Sequence, residues 1–187
     1  MNKIRLTVKS VTEIVGNKDV GLVILVDENE QRQIAIPCDY QMLYQLQLRI
    51  QNIPITPLLL PEVLWHVVRS ETTADFEILI HDVIDGQYRC LLMNNSTFEP
   101  YTIRVSDALL LSLISKTPIY MDENLMKKQS VAFKKDSKGM SIPLNTLTDD
   151  MLRKALNKAI EEENYEMASH LRDEMKRRNL LDTDDKK

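Results

Sequence analysis

Arg104, Ser106 and Asp107 lie within four positions of one another, where strand-like Phe98 to Val105 gives way to the apolar run Ala108 to Ser115. A strand-to-helix junction of this composition can do anion chemistry. The guanidinium can clamp a phosphate, the first helical N–H groups can receive it, and the carboxylate can hold a divalent ion. Cleavage of a phosphate ester asks for that set: charge stabilisation on the phosphate and an activated water. The same residues also suit a purely structural role. Ser106 is a good N-cap, and Asp107 sits well at the positive end of a helix dipole.

Other reactive side chains are scattered. His81 and Asp82 end a strand as sequence neighbours and so point to opposite faces, which disfavours joint catalysis. His66 falls between Trp65 and Val67 on an expected helix and reads as structural. No Ser-His-Asp or Cys-His arrangement is legible, which disfavours a covalent hydrolase. Cys38 and Cys90 stand apart from each other and from any histidine, as buried free thiols do.

The elements that must position these groups read as a mixed α+β domain. Arg5 to Lys9 alternates, Gly21 to Val26 is a continuous apolar strand, and Gln33 to Pro37 is a third. Asp39 caps a helix carrying Leu43, Leu46 and Ile50 on one face. The proline-rich Ile53 to Pro61 leads to a second helix, roughly Pro61 to Arg69, expected to turn Leu64, Trp65 and Val68 inward. Ala74 to Val83 and Gln87 to Met93 form a hairpin around Asp85-Gly86. After the helix from Ser106 come a short strand, Pro118 to Met121, and a short helix, Asp122 to Lys128.

Beyond Lys128 the apolar periodicity lapses over 129–147, a linker. Two short amphipathic helices then form an antiparallel hairpin over 148–178, with a polar tail at 179–187. One stripe is Leu152, Ala155, Leu156, Ala159 and Ile160; the other is Tyr165, Ala168, Leu171 and Met175. Helices of about three turns need a packing partner.

The 187 residues carry 24 Lys and Arg against 28 Asp and Glu, a net charge of -4. All of that net charge falls within 1–128, where 12 basic residues meet 16 acidic ones. Long-range attraction to a polyanion is opposed, so any nucleic-acid contact must be local or metal-assisted. Four glycines and 5% aromatic residues argue against a Gly-rich phosphate loop and against an extended stacking surface. No apolar run is long enough to span a membrane and the chain opens without a secretory signal pattern, so a cytoplasmic protein is expected. The apolar stretch Ile53 to Leu60 makes a homodimer the expected assembly.

Two resemblances follow from these motifs. Tyr165-Glu166-Met167-Ala168-Ser169-His170-Leu171-Arg172-Asp173, within Leu152 to Arg177, resembles the UVR motif, a helical hairpin that mediates protein–protein contact. That resemblance implies Tyr165, Ala168, Leu171 and Arg172 as contact or hairpin-defining positions; the plainer alternative is that Ala168 and Leu171 only pack the hairpin and Asp173 only pairs with Arg177 one turn on. Residues 1–128 resemble the bifunctional nuclease family, small α+β proteins credited with cleavage of DNA and RNA. The family's Arg-Pro-Ser-Asp-Ala core appears as Arg104-Val105-Ser106-Asp107-Ala108, then Thr117-Pro118-Ile119-Tyr120 and Asp122-Glu123-Asn124-Leu125. Ile36-Pro37 and Asp85-Gly86-Gln87-Tyr88 sit in matching places.

This second resemblance implies catalysis by Arg104, Ser106, Asp107 and Asp82, and Mg2+ or Mn2+ on Asp107 with a further carboxylate from Asp82, Asp85, Asp122 or Glu123. It implies nucleic acid as a partner. The chain departs from the family at Val105, where the family has proline, and at Ile55 to Pro61. There the family's Pro-Arg-Pro-Leu-Thr-His-Asp keeps only Pro57-Leu58. Glu62 is near enough to stand in for the acid, and no imidazole is adjacent. A non-enzymatic interaction protein on the same scaffold is the alternative expectation.

Overall fold

The computed structural model describes residues 2–14, 17–133, 144 and 147–180. The chain divides into two compact units, Met1–Asp82 with Tyr88–Met140, and Val83–Gln87 with Ser141–Lys187.

The first unit is built on a mixed sheet of eight strands among the described residues: β1 Lys3–Ile14, β2 Asn17–Asp27, β3 Arg32–Asp39, β4 Phe76–Ile84, β5 Gln87–Asn94, β6 Pro100–Arg104, β7 Ile119–Asp122 and β8 Val131–Ala132. Their order is β6-β5-β4-β7-β1-β2-β3-β8. The β4–β7 pair is parallel, with Ile78 opposite Ile119, whereas β7–β1, β1–β2, β2–β3, β3–β8 and β5–β6 are antiparallel. Leu22 to Val26 are all buried, which is why β2 reads as an unbroken apolar run instead of alternating. Asp85 and Gly86 turn between β4 and β5 with φ of 50° and 74°, the left-handed pair that a tight hairpin needs.

Four helices accompany the sheet: α1 Tyr40–Ile50, α2 Leu60–Glu71, α3 Val105–Ser115 and α4 Glu123–Gln129. Asp39 caps α1 as its sequence suggests, Oδ1 accepting from the Met42 amide at 2.8 Å. Leu43 and Leu46 are buried, and Gly21 on β2 lies so close that an added Cβ would strike the Leu43 side chain and stand 2.8 Å from the Thr12 carbonyl. Helix α3 packs beside α1, and α2 beside α3. Lys116 closes α3 in the left-handed region, its amide donating to the Ser112 carbonyl.

The structure reverses α2. Leu64 and Val68, expected inward, are exposed, and no residue of the helix is fully buried. Periodicity fixes which residues share a face; it does not say which face meets the protein. Trp65 alone of the expected trio is partly covered, edge-on to Phe76 with ring centres 6.3 Å apart. At the other margin, β8 pairs with β3 and Gln129 and Ser130 are buried, so the sheet runs past Lys128 into the stretch expected as linker. Most of that stretch lies outside the described residues, as does the expected tail from 181 onward.

The second unit contains α5 Asp149–Glu161 and α6 Tyr165–Arg177, an antiparallel pair capped by Thr148 and Asn164. Leu152, Leu156, Ala159, Ala168, Leu171 and Met175 are buried, and Ile160 and Tyr165 are exposed at the edges of their stripes. Arg178 ties the hairpin's two ends together. Its guanidinium donates to the carbonyls of Leu147 and Leu144 at 2.6 and 3.3 Å and to Glu174 at 2.8 Å, with 1% of the side chain exposed. Arg177 pairs with Glu174, not with the expected Asp173.

Candidate active site

Strand β6 ends at Arg104, and the same residue is the N-cap of α3. The cap therefore stands two residues earlier than Ser106. Ser106 is the second residue of the helix and is buried, so no side chain caps α3 and its first-turn amides lack a side-chain acceptor. Asp107, one position on, turns back to Arg104. Arg104 Nε donates to Oδ2 at 2.6 Å and Nη2 to Oδ1 at 3.1 Å, with 69% and 37% of the two side chains exposed. The fork is held flat while two of the five guanidinium donors are used.

The packing of α1 on α3 brings a second helix start beside this pair. Cys38 reports the closeness: its thiol is pushed up to about 12, by burial first and then by the Asp39 charge, with Arg104 opposing and Asp107 adding a little. Such a thiol stays protonated and is no nucleophile. Arg104 is held above its ordinary value, chiefly by the hydrogen bond to Asp107 and with a further contribution from Asp39. A cleft of about 500 Å3 opens here, lined by Asp39, Tyr40, Tyr44, Gln41, Gln45 and Arg104. Tyr40 and Tyr44 stand one helical turn apart, 54% and 51% exposed. An exposed fork, two carboxylates, uncapped amides and two flat aromatic rings can receive a phosphate with a base beside it.

This cleft lies inside the stretch 23–134, which matches the family model of the bifunctional nuclease domain. The chain belongs to the bifunctional nuclease family. No curated protein matches it significantly. The helical hairpin falls outside the matched stretch.

Within this family member the sequence-expected residues separate. Arg104 lines the cleft and holds Asp107, which does not itself line it, whereas Ser106 is buried. Asp82 lies on β4, with β5 between its strand and β6. Asp122 caps α4 through the Leu125 amide, Glu123 is engaged by Lys127 and Asn2, and Asp85 sits in the β4–β5 turn. None of these four lines the cleft. Asp39, read from sequence only as a cap, is the carboxylate that the fold brings to Arg104. Tyr40 and Tyr44 were also missed, although their four-residue spacing after a cap was the available signal.

The donor set bears on a divalent ion. No cluster of three or more His, Cys, Asp or Glu suited to holding one occurs among the described residues. Asp39 has one oxygen on the Met42 amide and Asp107 has both on Arg104, so an ion here would take most of its ligands from water and phosphate oxygens, as Mg2+ does, and not from a closed protein cage.

The other end of the α1–α3 pair carries a second cleft of about 550 Å3, lined by Arg49, Asn52, Glu62, His66, Arg69 and Lys116. Asp39 and Arg49 stand ten helical residues apart, roughly 15 Å, while Gln45 of the first cleft is one turn from Arg49 of the second. Glu62, the sequence candidate for a replacement acid, is fully occupied: Arg49 Nε and Nη2 each donate to it at 2.8 Å, with side chains 5% and 15% exposed. In the hairpin, Ala168 and Leu171 face its interior, while Tyr165 and Arg172 are exposed. No helix among the described residues is long and apolar enough to cross a membrane.

Proposed function

We propose that this protein is a nuclease that hydrolyses phosphodiesters of DNA or RNA at the paired starts of α1 and α3. The observation that carries the reading is the exposed Arg104–Asp107 fork facing Asp39 across a cleft, within the stretch that matches the bifunctional nuclease domain. Arg104 offers its remaining N–H groups to a non-bridging phosphate oxygen, and the uncapped amides of α3 add to that charge stabilisation. Asp39 keeps one oxygen on the Met42 amide and directs the other to the attacking water. Tyr40 and Tyr44 give the flanking bases a surface to stack on, a local contact that does not depend on net charge. Asp107 fixes the guanidinium plane.

Mg2+ or Mn2+ would be held by Asp39 and Asp107 together with the substrate phosphate. Such an ion, when bound, polarises the phosphate and acidifies its water. The proposed setting is the cytoplasm, where buried Cys38 and Cys90 remain thiols. The hairpin serves as a UVR-like docking element. Exposed Tyr165, Ile160 and Met167, with Arg172, are its contact residues, and the buried Ala168 and Leu171 hold its shape.

Incubating the protein with single- and double-stranded DNA and RNA, with Mg2+, Mn2+ or chelator, alongside an identically prepared Asp107→Ala variant, tests the site. Cleavage that needs both metal and Asp107 supports it; equal traces from both preparations leave a contaminant and a non-enzymatic protein. For the hairpin, a partner recovered by the full chain and lost on truncation before Thr148 is the expected result. Equal recovery overturns the docking role.

A further inference from the structure

Helix α2 turns its charged stripe toward α1 and α3 and leaves Leu64 and Val68 outside. Glu62, Trp65, His66 and Arg69 follow the three- and four-residue steps of one helical face, and all four line the second cleft. Burying Leu64 and Val68 in their place would have contributed more to stability. A helix set against its own hydrophobicity points to a use for the charged face. The cleft's volume, about 550 Å3, is that of a small-molecule site.

The charges of this cleft do not balance. Arg49, Arg69 and Lys116 meet a single carboxylate, Glu62, which Arg49 already neutralises. Arg69 donates only to the Ala74 carbonyl, at 3.3 Å, and the side chains of Lys116, His66 and Asn52 have no hydrogen-bond or ion-pair partner among the described residues. Lys116 also stands there at a cost, since it closes α3 with φ of 62°, where glycine is the usual residue. A lysine that only offset the helix dipole would do so as well from the last turn, in ordinary helical geometry. Between these donors the walls are apolar: Trp65, Pro57, Leu113 and Ile114.

We propose that the second cleft binds a nucleotide, its phosphate on Lys116, Arg69 and His66 and its base or sugar against Trp65 and Pro57. The unspent cations select the phosphate, and the apolar walls select the organic part. Two sources supply such a group. One is a free mononucleotide. The other is the strand held at Arg104, a source that rests on the nuclease reading. Arg104 and Lys116 stand at the two ends of α3, about 18 Å apart by helical rise, the length of about five nucleotides at roughly 3.4 Å each.

Isothermal titration calorimetry of the full chain is the test, with adenosine monophosphate, adenosine and a single-stranded DNA of about ten nucleotides, all in chelator so that metal-dependent cleavage does not interfere. Trp65 is the chain's one tryptophan, so its fluorescence locates any binding at this cleft. The mononucleotide or the strand should bind and change that emission, and adenosine should not. Lys116→Gly, which relaxes the left-handed backbone and so endangers no fold, should raise Kd about tenfold, the loss of one charge-assisted hydrogen bond. Adding Arg69→Gln should bring the rise to about 100-fold.

Binding of mononucleotide and strand alike assigns the cleft to a free nucleotide; binding of the strand alone, weakened by the same variants, assigns it to the substrate. No binding of either at millimolar concentration overturns the proposal. So does binding that the double variant leaves unchanged, or adenosine binding as tightly as its monophosphate. Cleavage that persists in Asp107→Ala would remove the nuclease reading and leave a mononucleotide result standing.

Discussion

Two bidentate arginine–carboxylate forks flank the helices, Arg49 of α1 with Glu62 of α2 and Arg104 with Asp107 at the start of α3, and they differ sharply in burial. Arg49–Glu62 is enclosed, its arginine also held by the Gln45 carbonyl at 3.0 Å and the Gln45 side chain at 2.5 Å. Arg104–Asp107 stands open beside a cleft. The enclosed fork uses four of the five Arg49 donors and is shut off from solvent, so it acts on stability; the exposed one contributes little to stability and keeps donors for an anion. The same pairing chemistry is therefore structural at one end and available for catalysis at the other.

Breaking the enclosed fork should have the largest effect. Arg49→Ala strands the Glu62 carboxylate and is expected to cost about 3–5 kcal/mol in denaturant unfolding. The double variant Arg49→Met, Glu62→Met should recover most of it, because no buried charge then remains unpaired. A single variant as stable as wild type would erase the contrast between the two ends.

Glu174 makes the same contrast on one carboxylate, since it is shared by Arg178, almost fully buried, and Arg177, 58% exposed. Arg178→Ala should destabilise the hairpin by about 3 kcal/mol. Arg177→Ala should barely move it. Equal losses would mean that burial does not decide the worth of these pairs.

At the exposed end the ranking should invert. Arg104→Ala is expected to leave the melting curve unchanged and to lower nuclease turnover about 100-fold, the usual loss for one charge-stabilising donor. Tyr40→Ala and Tyr44→Ala should each raise KM roughly tenfold with smaller changes in kcat, as loss of one stacked base would. A change in kcat alone would remove the tyrosines from substrate binding.

The smallest expected effect is on pH dependence. Arg177 and Arg178 hold the Glu174 carboxyl below its ordinary value of 4.5, against the opposing effect of burial. The folded hairpin thus binds this proton less readily than the unfolded chain. Its contribution is complete above pH 4.5 and is lost as pH falls through the lower folded value, so acid should lower the hairpin's melting temperature. Glu174→Gln should flatten that slope.

Local signals carried much of the fold. The Asp39 cap, the continuous β2 run, the Asp85-Gly86 turn and the two hairpin stripes each follow from neighbouring residues, and each is present in the structure. Arg104 and Asp107 were legible as candidates for the same reason, being three residues apart, but their pairing with each other was not read. Asp39 was legible as a cap but not as a partner of Arg104, because helix packing joins them from distant parts of the chain. The outward turn of α2 was misread because a stripe at helical spacing looks the same whether it faces a core or the surface. Ser106 was misplaced by its type: a good capping residue sits one turn-step inside the helix, where the strand has already delivered Arg104 to the cap.

The most direct measurement compares cleavage rates of wild type, Asp107→Asn and Glu62→Gln under one set of metal conditions, each protein verified as folded. The expected result is loss of about 100-fold or more for Asp107→Asn and a near wild-type rate for Glu62→Gln. Equal rates for wild type and Asp107→Asn, or a loss confined to Glu62→Gln, would contradict a reactive centre at the starts of α1 and α3.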